Sequence, residues 1–319
     1  MTELQILIEN IFQLMITGIL VGALYGLMCV GLAMIFGIMR VINFAQGDFM
    51  MVGMYATYFF FAFGFQAAFG TIMGPYFAVI ATAPVLFLFG WLIHRLLIRR
   101  VTGIASSGME AEGHYAQLIL TLGIALVLQN GAMILLGADL VSIRTPLSSA
   151  AWVQAFSGDS PILLFFNKAR VVSALFSGVV ILALWFLIQR TLIGKSLRAA
   201  ADNPEAAIYM GIDVDRAHRF AFATGTAITA MAGGLLATSY PFTPFVGLEY
   251  VIIMYAGVVL GGIGSVIGAF WGGMLIGLIQ QFSTLVLPTQ LQNATIFVCF
   301  LLVVTLRPQG LFGRNVERT

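Results

Sequence analysis

The chain has 319 residues, 60% of them hydrophobic and only 9% charged, against about 25% charged in an ordinary soluble domain. Its mean hydropathy is +1.01, and its net charge is +2 with no basic patch, which excludes a nucleic-acid binder. Apolar runs of roughly 20 residues, enough to cross a ~30 Å hydrocarbon core as helix, predict an all-α polytopic membrane protein.

In chain order, the first ten residues, MTELQILIEN, lack the basic start of a cleavable signal peptide. The first hydrophobic stretch is therefore expected to stay as a span. Apolar segments lie at about 11–38, 45–66, 75–98, 115–137, 171–190, 219–239, 250–286 and 291–306, in one membrane domain over 1–319. Cys29 and Cys299 sit inside these segments, where cysteine behaves as a small hydrophobe. His94, His114 and His218 flank segment ends, and no two stand at metal-ligand spacing.

Positive charge sets the expected orientation. Arg95, Arg99 and Arg100 mark one cytoplasmic stretch; Arg190, Lys195, Arg198, Arg216 and Arg219 mark a second; Arg307, Arg314 and Arg318 mark the tail. Together these are 11 of the 15 basic residues. The N-terminus, with Glu3 and Glu9 and no nearby base, is expected outside, as is the 138–170 loop.

An outside N-terminus and a cytoplasmic C-terminus need an odd number of crossings, whereas eight segments are even. The conflict falls on 250–286, which is long for one helix and interrupted by Gly261, Gly262 and Gly264. Parity is met if that stretch enters and leaves on one side, as a half-helix plus a return. Residues 20–65 show an early counterpart, broken by Arg40-Val-Ile-Asn43-Phe-Ala-Gln46-Gly47-Asp48. Two interrupted stretches in corresponding places of two halves point to a substrate path. Non-helical backbone at membrane depth must face protein or a water-filled cavity. Asn43, Gln46, Asp48, Gly261, Gly262 and Gly264 are the candidate path residues; a cytoplasmic turn is the plain alternative for 40–48.

Glycines at 18, 22 and 26, at 264, 268 and 272, and at 273 and 277 recur every four residues. On a helix each series lies on one face and lets backbones approach closely. Gly194-Lys195-Ser196 mimics the end of a phosphate-binding loop, but the required glycine five residues earlier is Gln189. The chain is thus expected to bind no ATP and no other cofactor. No serine, cysteine or carboxylate pair has the partners that catalysis requires.

The stretch 194–219 reads differently. Asn203 can cap a helix whose first residue is Pro204, with Glu205 in its first turn and Gly211 at its stop. Asp213 or Asp215 can cap the helix that follows. The result is a short rigid helix in a loop of about 191–218, whose Ala207, Ile208 and Met210 would dock in a partner's groove.

At these residues the chain resembles a known family. Ile42-Asn-Phe-Ala-Gln-Gly-Asp48, Arg198-Ala-Ala-Ala-Asp-Asn-Pro-Glu205 with Gly211-Ile-Asp213, Val259-Leu-Gly-Gly-Ile-Gly-Ser265 and Arg307-Pro-Gln-Gly-Leu-Phe-Gly313 are similar to LivH-type permeases of branched-chain amino acid ABC importers. The resemblance implies a bacterial inner-membrane subunit that works with a second, LivM-like permease. It further implies two ATPase subunits of the LivG and LivF type, which use the ATP, and a periplasmic binding protein. Arg198, Asn203, Pro204, Glu205, Ala206, Ala207, Ile208, Met210 and Gly211 would form the coupling element to the ATPase. Where Gln46 stands the family usually has His; Gln keeps hydrogen bonding but does not titrate near neutral pH. Related permeases carry urea, short amides or aromatic acids. A partner-free secondary transporter or channel is the alternative of another class, but the mid-span polar residues here, such as Gln129, Asn130 and Thr226, are uncharged.

Overall fold

The computed structural model describes residues 3–102, 110–156, 162–262, 264–288, 291–307 and 310–312. Helix α1 (Glu3–Met39) is apolar along nearly its whole length. After the break at 40–45, α2 (Gln46–Phe60) passes through a π-helical turn, Phe61–Phe65, into α3 (Gln66–Ile93). Gly70, at φ 73° and ψ −178°, interrupts this run in a conformation that only glycine takes easily. There the chain doubles back, so that Phe49 packs edge-on to Phe89 and the Thr57 and Thr82 hydroxyls share a hydrogen bond of 3.1 Å. A second π-helical turn, His94–Ile98, leads to the short α4 (Arg99–Thr102), and α5 spans Glu110–Leu136.

Strands β1 (Ala151–Phe156) and β2 (Ile162–Asn167) form an antiparallel hairpin in the 138–170 loop, with Ala151 opposite Asn167. The outer edge of β2 does not stay bare, which would leave unpaired backbone groups. Gln13 of α1 accepts from Phe165 N and donates to Phe165 O, both at 2.9 Å, and Glu9 accepts from Leu163 N. Then come α6 (Lys168–Arg190), α7 (Leu192–Asp202), α8 (Pro204–Tyr209), α9 (Val214–Ala237), α10 (Val246–Gly261), α11 (Val266–Ser283) and α12 (Gln292–Leu306). Six described helical stretches are long and apolar enough to cross a membrane, and α10 and α12 are shorter apolar helices. The hairpin aside, the chain is all-α and polytopic, as composition and segment length predict.

Helices α1 and α9 are the axis of the bundle. In the most apolar window of each, 83% of residues are buried, against 11% for α5 and 17% for α6, which therefore present apolar side chains outward. The glycine series explain how α1 packs. A Cβ at Gly18, Gly22 or Gly26 would meet Leu278, Met274 or Phe270, and one at Gly277 or Gly273 would meet Gly22 or Gly26. The descending register makes α1 and α11 antiparallel, with backbones in contact along their length. Gly31 packs in the same way on Gly225 and Thr229 of α9.

These pairings give every passage a direction. One end of the bundle holds the start of α1, the β-hairpin and the end of α9, where Ile143 N donates to Ala237 O. The other holds the end of α1, the α7–α8 segment, and the end of α10, where Leu311 N donates to Leu260 O. The 250–286 stretch is an antiparallel pair, α10 and α11, and each arm makes a passage. Nine alternating passages result among the described residues (α1, α2, α3, α5, α6, α9, α10, α11 and α12). The odd parity is met by two passages, rather than by an excursion from one side as expected.

The two halves match. Residues 53–57, GMYAT, and 253–257, IMYAG, share Met-Tyr-Ala 200 residues apart, as do Gly47 and Gly247. Each half is a buried helix (α1, α9), a non-helical break (40–45, 238–245), a helix starting inside the bundle (α2, α10) and a return helix (α3, α11). The starts of α2 and α10 meet, with Gly47 against the backbone of Gly247.

Candidate functional site

The break before α2 is closed by its own side chains. Asn43 and Gln46 are fully buried, and Asp48 is nearly so. Asn43 Nδ2 donates to Gln46 Oε1 at 2.9 Å, and Asn43 Oδ1 accepts from Ala45 N at 3.2 Å, tying the turn to the first residues of α2. Gln46 Nε2 then donates to Gly225 O and to Thr229 Oγ1 of α9. Polar backbone inside the bundle is thus satisfied by protein, as depth in a membrane demands. Removing this amide should leave several buried groups unpaired, at about 1–3 kcal/mol each. Gln46→Leu is expected to lower the melting temperature of the purified protein, whereas Gln46→His, which retains a ring donor, should lose less. Equal melting for Leu and Gln would show that these bonds contribute nothing.

At the other break, Gly262 has φ 102° and Gly264 φ 89°. Both lie in the left-handed region that a side chain strains. Ser265 caps α11 by accepting from Gly268 N at 3.0 Å. Ile263 lies outside the described residues. The tail completes this turn: Leu311 N donates to Leu260 O at 2.8 Å and Phe312 N to Gly261 O at 3.2 Å. Two of the carbonyls orphaned at the end of α10 are thereby satisfied. Gly310, at φ 77°, lies against Val259 O and Gly262. That role for the tail motif is invisible in the sequence, since 50 residues separate the partners; Pro308, Gln309 and Gly313 of the motif lie outside the described residues.

Gly264 borders a cavity of about 930 Å³ at the α7–α8 end, with Arg40, Gln189, Arg198, Asp202, Ser265 and Phe312 among its walls. Asn43, Gln46, Asp48, Gly261 and Gly262 do not line it. A second cavity, of about 420 Å³ and almost wholly apolar, lies between α1, the break at 42–44, α10 and α12, with Tyr255 and Phe44 on its walls.

The α7–α8 segment is a chain of capped helices. Thr191 Oγ1 accepts from Gly194 N at 3.1 Å and starts α7, whose Gly194, Leu197 and Ala200 face inward. Gly194-Lys195-Ser196 therefore lies in the first turns of α7. Asn203 Oδ1 accepts from Ala206 N at 3.0 Å, with Pro204 as the first residue of α8. The exit is a Schellman motif: Ile212 N donates to Ala207 O and Gly211 N to Ile208 O, both at 2.9 Å, with Gly211 at φ 79°. Asp213 Oδ1 accepts from Arg216 N at 2.9 Å and starts α9 without a spacer.

Two residues of the expected coupling element stand off its exposed face. Ala207 is buried, because a helix of six residues turns one position inward, and that position packs toward α9. Arg198 lies on α7, where its guanidinium donates to Gln189 Oε1 at 3.0 Å and borders the larger cavity. Glu205 and Ala206 remain exposed beside Ile208, and Tyr209 and Met210 are 88% and 81% exposed. Tyr209, which lies within the expected 206–210 face, is more exposed than either Ile208 or Met210. Nearby, Asp215 pairs with Arg99 at 3.4 Å and Arg219 at 3.8 Å, fastening the start of α9 to α4.

A family model described as "Branched-chain amino acid transport system / permease component" matches residues 14–306. The chain is 29% identical over 312 residues to the "High-affinity branched-chain amino acid transport system permease protein LivH" of Escherichia coli (strain K12), covering 96% of this chain and 97% of that one. It is also 29% identical over 316 residues to the corresponding protein BraD of Pseudomonas aeruginosa, covering 98% and 99%. The "Autoinducer 2 import system permease protein LsrC" of Yersinia pestis is 28% identical over 193 residues, covering 57% and 50%. No solved structure matches the chain.

Proposed function

The chain belongs to the branched-chain amino acid transport permease family, and from that membership we propose that it is the membrane subunit of an ATP-driven importer of branched-chain amino acids or a related small polar solute. It is a multi-pass membrane permease. The names of the relatives matched over nearly their whole length support that substrate class. The partners proposed are a second, LivM-like permease, two ATPase subunits of the LivG and LivF type that consume the ATP, and a periplasmic binding protein.

The observation that carries this reading is α8. A helix capped at both ends presents Ile208, Tyr209 and Met210 to solvent at the arginine-rich end of the bundle. Exposed apolar side chains on a rigid helix suit a groove on a partner. The Schellman turn and the Asp213 cap join α8 directly to α9, which packs on α1, α2 and α3. Movement of an ATPase groove would therefore pass along α8 into the axis of the bundle. There the proposed path runs by the two breaks, near Asn43, Gln46, Asp48 and the Gly261–Gly264 turn. The test is enzymatic. Purified chain alone should hydrolyse no ATP above background, and hydrolysis coupled to uptake should appear only in the assembled complex; uptake by the chain alone in liposomes would mark a partner-free transporter.

The charge distribution supports an inner-membrane protein whose α7–α8 end is cytoplasmic and whose β-hairpin end is periplasmic. Positions 106 and 157, the natural choices for labelling, lie outside the described residues. Ser149 and Lys195 are exposed at opposite ends. In a background with Cys299→Ser, Ser149→Cys should react with an impermeant maleimide from outside only, and Lys195→Cys from the cytoplasm only. Labelling of both from one side would overturn the orientation.

A further inference from the structure

We propose that the cavity of about 930 Å³ at the α7–α8 end is a binding site for one anionic phospholipid, with the headgroup phosphate held by Arg40 and Arg198. Both arginines border the cavity. Among the described residues, neither forms an ion pair: Arg40 donates to Ala201 O at 3.4 Å and Arg198 to Gln189 Oε1 at 3.0 Å. Among the described lining residues Asp202 is the single carboxylate against Arg40 and Arg198, a surplus of positive charge. Arg40 is also the one non-glycine residue with positive φ, at 54°, among those described. A left-handed conformation is unfavourable for a non-glycine residue, and here it follows the end of α1 at a residue that borders the cavity.

The adjoining wall suits an acyl chain. Trp185 of α6 and Ile267 of α11 border the cavity and are 43% and 53% exposed. They continue an outward apolar face that includes Leu182 and Phe186, as on a helix that meets lipid. Helix α7 completes the setting, with exposed Leu192 and Ile193 beside Lys195 and Arg198, the composition of a helix lying in the membrane interface. Basic pockets between helices at the cytoplasmic surface are suited to anionic headgroups. Free phosphate would use the arginines but leave the apolar wall bare.

The test is native mass spectrometry of delipidated full-length protein titrated with phosphatidylglycerol or phosphatidylcholine of matched chains. One phosphatidylglycerol should be retained, with affinity on the order of twentyfold above phosphatidylcholine, as two surface arginines acting on an anion would give. Equal retention of the two lipids in the parent protein would overturn the site without any variant. Arg40→Gln with Arg198→Gln should abolish the preference, and the Lys pair should restore part of it; an unchanged preference in the Gln pair would overturn it too. Millimolar inorganic phosphate should not displace the lipid. Displacement at that level would assign the arginines to a free anion and refute the lipid proposal.

Discussion

A Gly211→Val protein is expected to reach the membrane in normal amount, bind the ATPase poorly and transport at about a tenth of the parent rate or less, as a strain of 1–3 kcal/mol implies. Gly211 is the C′ residue of α8, at φ 79°, and a Cβ there would meet nothing within 4 Å. The penalty of a side chain is thus conformational and not a clash. Valine, branched at Cβ, is a poor occupant of the left-handed region. To relieve it the chain must leave the Schellman geometry, giving up the bonds from Ile212 N to Ala207 O and from Gly211 N to Ile208 O. Ile208, Tyr209 and Met210 would then meet the groove at a wrong angle, while the spans, which rest on hydrophobicity, insert as before. Gly211→Asn supplies the control, since Asn tolerates this conformation. Asparagine and valine variants equally active in uptake, or equally inactive, would show that the turn's geometry does not matter.

The caps around α8 were legible because capping is local. Asn203, Pro204, Gly211 and Asp213 act on neighbours three to five residues away, so spacing alone reveals them. The apolar spans were legible for a related reason: length and hydropathy need no tertiary partner. What stayed hidden depends on contacts distant in sequence. Gln46 reads as a path residue from its place in a break, yet its amide is committed to Gly225 and Thr229, about 180 residues on. The β-hairpin was missed because its edge is completed by Glu9 and Gln13 of α1, 150 residues earlier. Helix α7 was missed because its inward face is only Gly194, Leu197 and Ala200, and two of these three are too small to mark a hydrophobic stripe. Burial of Ala207 likewise follows from where α9 stands, which nothing in 203–211 specifies.

The repeat was half visible, and it supports the prediction with the largest structural effect. Gly47→Ala is expected to lower the thermal stability of the purified protein by ~2 kcal/mol or more and to abolish transport, since overpacking a well-packed interior costs typically 1–3 kcal/mol. The starts of α2 and α10 meet at this point, and a Cβ on Gly47 would fall on the carbonyl of Gly247. The reciprocal Cβ on Gly247 would lie 2.8 Å from Asp48 Oδ1 and 2.9 Å from Gly47 C. The obstacle on both sides includes backbone, so no rotamer change clears it, and the helices must separate. Separation would pull Gln46 from Thr229 on one side and shift Val251 on the other, disturbing both halves of the repeat together. Gly247→Ala should therefore resemble Gly47→Ala, a symmetry that a merely local defect would not produce. Gly64→Ala is the matched control, because a Cβ there meets nothing within 4 Å. Gly47→Ala protein that melts and transports like Gly64→Ala protein would mean that the two half-helices are not held in contact, and that the repeat is a relic of sequence without a working junction.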